Sequence, residues 1–348
     1  MLGSGILHAT TFHKKLVTGT LICFLTTHVH AGVVLLYHHV DEKTPAITSI
    51  APDQFNRHLD IIEAEGFTVL PLDELVKRSM DVSRETEKND DKIVAITFDD
   101  AYRSIYSTAF PNLQARGWPF TIFVSTRLIE QKNPHYLTWA QLAEMSMHGA
   151  TIANHTDSHT HMIRRLDAES ADQWRDRMRG ELLTAKNLLV KHGLDSNFFA
   201  YPYGEYDEEI LNLVGDLGMI GFGQQSGAIG PYSNPLILPR YPLAGVYVGE
   251  AAFRDKLRSL PFPVLHPEVE PLVSDNFKPP LELSFTNDSL NFSRLTCYGP
   301  GGLMALSETS GTKVLARPTK EVSVGRTRYN CTLPKGNRFY WFSQLWIR

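Results

Sequence analysis

The run Ile93-Val94-Ala95-Ile96-Thr97-Phe98 narrows the choice of fold more than any other stretch. Five of its six residues are apolar and four are β-branched, the pattern of a buried strand. Asp99 and Asp100 follow it directly. Two ionised carboxylates side by side at a strand end repel each other unless positive charge sits against them. A divalent cation meets that need economically. Further along, His155-Thr156-Asp157-Ser158-His159 supplies two imidazoles.

The rest of the chain reads as strands and helices in alternation. Strand-like runs at Val33–Tyr37, Phe67–Leu70, Phe120–Val124, Ala150–Asn154, Phe198–Tyr201 and Leu236–Leu238 flank helical patterns at Asp53–Glu65, Tyr102–Arg116, Asp167–His192, Asp207–Leu217 and Glu250–Leu260. Thr138-Trp139-Ala140-Gln141 predicts a capping box that opens a further helix through Met147. Gly66, Gly117, Gly193 and Gly218 stand where helices should stop. The repeat is roughly 25–45 residues, which points to a parallel α/β sheet. Polar residues gather after the strands, where a (β/α) barrel or an open α/β sheet places its site. Residues 79–92 are charged and read as a solvated loop.

Both ends differ from this middle. His13, Lys14 and Lys15 precede a short apolar run, Leu16–Leu25, and Val29-His30-Ala31 ends in a small residue. Residues 1–31 therefore predict a secretory signal cleaved after Ala31, the alternative being an uncleaved amphipathic anchor. The run is too short to span a bilayer, so no stable membrane span is expected once the signal is gone. The mature protein is expected in the periplasm or outside the cell. Cys297 and Cys331 then remain as an even pair in an exported chain, suited to a disulfide. In a cytosolic chain they would be buried thiols. Prolines at 261, 263, 267, 271, 279 and 280 mark a composition shift. This predicts a catalytic domain over 32–262, a linker over 263–280 and a small β domain over 281–348. Phe339-Tyr340-Trp341-Phe342 and Trp346 either form the core of that small domain, dock it on the barrel, or offer rings to a sugar. The net charge of −4 gives no bulk electrostatic ground for a nucleic-acid or anionic-membrane partner.

A hydrolytic zinc site takes about three protein ligands and keeps one position open. Asp100, His155 and His159 supply such a set, and a single helical turn would put both imidazoles on one face. His161, two residues on, is an alternative ligand. His38 and His39 end a different strand and read first as cleft residues. Asp99, next to the cation, stays ionised and can accept a proton from an activated water. That is metal-assisted hydrolysis of an amide or ester.

Thr97-Phe98-Asp99-Asp100, His155-Thr156-Asp157-Ser158-His159 and Tyr201-Pro202-Tyr203-Gly204 resemble successive motifs of the polysaccharide deacetylases, the NodB-homology group known as carbohydrate esterase family 4. Leu36-Tyr37-His38-His39-Val40 resembles the exported poly-N-acetylglucosamine deacetylases of that group. The resemblance covers about Val33 to Gly245. It implies a deformed (β/α) barrel, and a divalent metal, usually zinc, on Asp100, His155 and His159. It implies Asp99 as general base, and Tyr201, Pro202 and Tyr203 beside the acetyl group, with the Tyr203 N–H toward the oxyanion. It also implies an N-acetylated polysaccharide as substrate and acetate as product. Two positions depart from the pattern. The arginine that opens the third motif is Ala200 here, and Arg240 is the candidate replacement. The closing Leu-x-His is matched by Val264-Leu265-His266, which gives His266 the acid role. Two other readings remain open: a carbohydrate-binding protein on a dead deacetylase scaffold, and a metal amidase on a non-sugar amide.

Overall fold

Eight strands form one parallel sheet in this computed structural model, which describes Met1 and residues 31–81, 92–265, 270–286 and 290–348. All of the predicted signal but Met1 and Ala31, most of the charged loop and His266 lie outside the described residues. Across the sheet the order is Tyr241–Pro242, Gly32–Tyr37, Ile93–Phe98, Phe120–Val124, Ala150–Asn154, Phe198–Ala200 and Ile220–Phe222, with Thr68–Val69 also paired to Ile93–Phe98. Its two ends meet through residues 238–242. Leu238 bridges Phe222 in parallel, and Tyr241 pairs with Leu35. The sheet is thus rolled into the deformed barrel expected of the sequence.

Parallel strands are covered on both faces, so they read as nearly continuous apolar runs. Gly32–Tyr37 and Ile93–Phe98 are buried at every position. Alternate residues serve different clusters. Val33, Leu35, Val94, Ile96 and Phe98 join one core, whereas Val34, Ala95, Phe123 and Phe222 join another. Register aligns the strand tips: Tyr37 sits opposite Phe98, Val124 opposite Asn154, and Asn154 opposite Phe199. Whatever follows each of those residues therefore emerges on one rim.

The helices follow their sequence signals with small shifts. Pro52–Ala64 starts on a proline at its first turn, and Gly66 behind it has φ +71°, the left-handed conformation that glycine takes without strain. Trp139–Met147 has the predicted capping box. The long helix is Ala171–Lys191, capped by a second box, Ser170 with Gln173. The stretch 102–116 is not one α-helix. Ile105–Ala109 is a π-helical turn that passes into α-helix at Phe110–Ala115. Pro111 has no N–H to donate and crowds the preceding turn, so the register changes there. The last barrel helix ends at Leu257, and Ser259–Pro261 is already a strand.

The C-terminal part is two small sheets, of five and four strands. Its strand ladders are antiparallel except that Ser259–Pro261 runs parallel to the strand Arg338–Ile347, which Leu272 also bridges in parallel. Cys297 and Cys331 face each other across paired strands and form a disulfide. The β core takes Leu260, Phe262 and Val264 along with Tyr340 and Trp346. Residues 271–273 bond to Ile347 through backbone hydrogen bonds. The proline-rich stretch thus partly belongs to the β unit in space. Trp341 turns the other way and meets Tyr241 of the barrel edge to face, centroids 5.5 Å apart. Of the three roles weighed for these aromatic rings, two are seen: core and docking. Among the described residues no helix is long and apolar enough to cross a membrane.

Candidate active site

Asp99 and Asp100 leave the rim just after Phe98, and the Asp99 N–H donates to the Tyr37 carbonyl at 3.0 Å. His155 leaves after Asn154, its N–H donating to the Val124 carbonyl at 3.1 Å. Its Nδ1 lies 2.8 Å from the Ala200 carbonyl. A carbonyl only accepts, so Nδ1 carries the hydrogen and Nε2 keeps its lone pair in the neutral ring. The two imidazoles do not share a helical turn. Residues 155–159 are a loop in which Thr156 and His159 have φ of +65° and +57°. Short side chains hold it there. Asn154 Oδ1 accepts from the Thr156 N–H at 2.8 Å, and Thr156 Oγ1 from the His159 N–H at 3.0 Å. Asp157 is clamped by Thr126 and by two nitrogens of Arg127. Ser158 is held by Glu181.

The loop brings His155 Nε2 and His159 Nε2 to 3.2 and 3.0 Å from Asp100 Oδ1. That oxygen is buried and accepts no hydrogen bond. One donor atom from each residue lies within 4.8 Å of the other two. A buried carboxylate oxygen without a donor, facing two imidazole nitrogens, is the donor set that a divalent cation of the zinc type requires. His155 also has the outer partner typical of a ligating histidine. Burial raises the pKa of Asp100, but the two imidazoles beside it win and hold it well below the usual carboxylate range. His161 is not part of this set. Its Nδ1 lies 2.7 Å from the Glu205 carboxylate, and its ring stacks on Tyr203, centroids 3.8 Å apart.

Asp99 faces a different partner. Arg240 donates Nη1 to Oδ1 at 2.6 Å and Nη2 to Oδ2 at 2.8 Å, with both side chains fully buried. Arg240 is itself held by the Gly223 carbonyl, by Thr97 Oγ1 and by the face of Phe123. Burial raises the pKa of Asp99, but the Arg240 charge and His155 outweigh it, so the net shift is downward. His38 lies at the end of the neighbouring strand. Burial lowers its pKa, and the charges of Asp100 and Asp99 oppose this. The turn Pro202–Gly204 follows Ala200 on the same rim. Tyr203 there has φ +61°, and its ring meets His159 at 4.6 Å. Tyr201 points elsewhere. It is buried, and its hydroxyl donates to the Leu236 carbonyl.

Further aromatic and basic residues at the rim carry little or no mark in the sequence, although His39 reads there as a cleft residue. His39 stacks on Tyr102 at 3.5 Å, and Tyr102 on Tyr136 at 5.1 Å, forming a ladder of rings. Tyr102 follows the aspartate pair by two positions, which is its only signal. Tyr136 and Arg326 have none. A cavity of about 700 Å³ lies away from this rim, between barrel and β unit, lined by residues such as Tyr232, Phe262 and Trp341.

Fold and rim together define a (β/α) barrel with a candidate cation site beside a buried carboxylate. The model of the polysaccharide deacetylase family matches residues 86–221 of this chain. It is 28% identical over 196 residues to the putative polysaccharide deacetylase YxkH of Bacillus subtilis (strain 168), covering 56% of this chain and 65% of that one. The match therefore spans just under two thirds of that relative's length. It is 25% identical over 212 residues to a poly-beta-1,6-N-acetyl-D-glucosamine N-deacetylase of Staphylococcus aureus (strain MSSA476), covering 59% of this chain and 71% of that one. Among solved structures, the Streptococcus pyogenes deacetylase PplD in complex with acetate superposes with a TM-score of 0.58 at 23% identity, over 66% of this chain and 99% of that one. IcaB from Ammonifex degensii gives 0.56 at 23% identity, over 64% and 96%. At such identity the likeness is one of fold.

Proposed function

We propose that the protein removes N-acetyl groups from an N-acetylglucosamine-containing polysaccharide, releasing acetate, with a divalent metal held by Asp100, His155 and His159. The observation that carries this reading is the pairing of two carboxylates with opposite partners: Asp100 toward two bare imidazole nitrogens, Asp99 toward a buried guanidinium. A divalent cation at the first set, zinc by the resemblance, supplies Lewis-acid polarisation of the amide and a nucleophilic water near neutral pH.

The remaining work falls to the chain's own residues. Asp99 accepts the proton of the attacking water. Its depressed pKa makes it a weak base, and Arg240 fixes both its oxygens so that it stays ionised and aimed. The Tyr203 N–H is the candidate donor to the developing oxyanion, with Pro202 at the acetyl pocket and His38 in the cleft. Tyr201, buried and bonded to Leu236, supports the turn from behind. His266 keeps its candidacy as the acid that protonates the departing amine. Water and amide thus give acetate and a free amine. Poly-β-1,6-linked N-acetylglucosamine is the first substrate to try, because a relative bears that name. The predicted signal fits action on an exported polymer.

The test uses the zinc-loaded protein on β-1,6-linked N-acetylglucosamine, chitin oligomers and peptidoglycan, with acetate release as readout. Asp99→Asn should lower turnover by about 10²-fold or more while retaining its zinc. Bound zinc with no acetate from any of these polymers would transfer the protein to the non-sugar amidase or binding readings.

A further inference from the structure

The β unit does more than pack beside the barrel. Arg326, the first residue of its strand Arg326–Lys335, reaches the turn that carries Tyr203. Its Nη1 donates to the Tyr203 carbonyl, 123 positions away in the chain. Its guanidinium lies 5.7 Å from the centre of the Tyr203 ring. Its Nε is 3.8 Å from the Glu205 carboxylate, whose side chain is 6% exposed and whose other oxygen is bonded to His161.

The mount for this arginine is rigid. Arg326 pairs with Ile347 across the ladder, and Gly325 and Arg348 exchange backbone hydrogen bonds beside it. Ile347 and Leu345 pack with Met162, Trp174 and Tyr206, on the segments just beyond the metal loop and the Tyr203 turn. The guanidinium is therefore delivered by a docked sheet end, not by a swinging loop.

The turn needs an outside hold. Tyr203 is a bulky residue in the left-handed region, which persists only where surrounding contacts over-determine it. Its own turn bonds are the Gly204 and Glu205 N–H groups, donating to the carbonyls of Tyr201 and Pro202. Its ring is wedged between His159 and His161. A rotated peptide at Tyr203 would swing both the ring and the N–H away from the rim.

We propose that Arg326 is a positioning residue for the reaction: it locks the Tyr203 peptide in its left-handed turn, so that the β unit completes the active site. The role in turnover rests on the deacetylase reading; the lock on the turn does not. Arg326→Ala and Arg326→Lys are compared with wild type in three measurements. In Arg326→Ala, amide hydrogen exchange at Gly204 and Glu205 should quicken at least tenfold. Its kcat should fall at least tenfold, with KM within threefold and zinc content unchanged. Arg326→Lys, which can still reach the carbonyl, should fall between the two, and it stands in should Arg326→Ala not fold. Unchanged exchange at both amides overturns the proposal whatever the activity does. Faster exchange with unaltered kcat overturns the catalytic half. If wild type itself releases no acetate, the deacetylase reading fails while the exchange result still decides the lock.

Discussion

Individual residues at the rim are held in costly states. Asp100, Ala101, Thr156, His159 and Tyr203 all have positive φ without being glycine, at about 1–2 kcal/mol each for an L-residue. They occupy the three loops that build the site, where such strain collects in proteins generally. The Asp99–Arg240 pair is the other cost. Fully buried, it holds together because each charge answers the other; removing one partner strands the second. Arg240→Met should therefore lower unfolding free energy by about 3–5 kcal/mol, read by urea denaturation. Adding Asp99→Asn to it should recover part of that loss. If Arg240→Met costs no more than a surface substitution, the pair is not the internal clamp described here. The aspartates and both histidines were legible because each sits next to a strand that its own apolar pattern reveals. Arg240 was reachable only by resemblance, since nothing local ties it to a carboxylate 141 positions away. Arg326 and Tyr136 were not legible at all, and Tyr102 only through its place two positions after the aspartate pair: their partners come from folding, not from spacing.

Helices and strands dock through a few polar contacts that also set how the fold responds to acid. His58 on the helix Pro52–Ala64 is fully buried. Its Nε2–H donates to the Val248 carbonyl at 2.8 Å, its Nδ1 accepts from the Tyr37 hydroxyl at 3.0 Å, and its ring stacks on Phe253 at 3.9 Å. One imidazole thus ties a helix to the first strand and to the last barrel helix. Burial lowers its pKa to about 4, the Val248 bond opposing and Lys256 and Arg57 assisting. The folded protein keeps His58 neutral where the unfolded chain would protonate it. Its contribution is therefore full above pH 6.5 and is lost as pH falls from 6.5 toward 4. Between pH 7.5 and 4.5 this linkage removes about 2–3 kcal/mol. His58→Gln should show a smaller loss over that interval in paired urea titrations; an identical pH slope would remove His58 as a cause. Most element types followed the sequence because strand burial and helix caps are local, but the predicted strand Leu236–Leu238 is only a bridge at Leu238, and the short strands Ile220–Phe222 and Tyr241–Pro242 were not foreseen. The predicted start at Asp167 was early because Ser170-x-x-Gln173 was passed over as the cap. The π turn before Pro111 was missed because a continuous apolar face masks a change in hydrogen-bond register.

Considered whole, the chain is a barrel and a β unit that share segments instead of meeting across a tether. Prolines report a lack of regular backbone bonding and not a lack of contact: Val264 of the predicted linker sits in the β core beside Leu260 and Phe262. The disulfide staples that unit, closing a separation of 34 residues. Replacing both Cys297 and Cys331 by alanine should cost about 2–4 kcal/mol, seen as a lower melting temperature. If Arg326 rides on this sheet as argued, exchange at Gly204 should quicken in that variant too, and an unaffected melting temperature would show that the sheet needs no staple. A last consequence comes from where the terminal strand lies. Arg338–Ile347 is an inner strand, flanked by Ser259–Pro261 on one side and Arg326–Lys335 on the other. During vectorial synthesis the β unit therefore cannot close until residues 338–347 have been translated. The nascent chain keeps its Ser259–Pro261 strand without that partner until then, so a stop codon placed just before Arg338 would leave a polypeptide whose rim has been built but never latched.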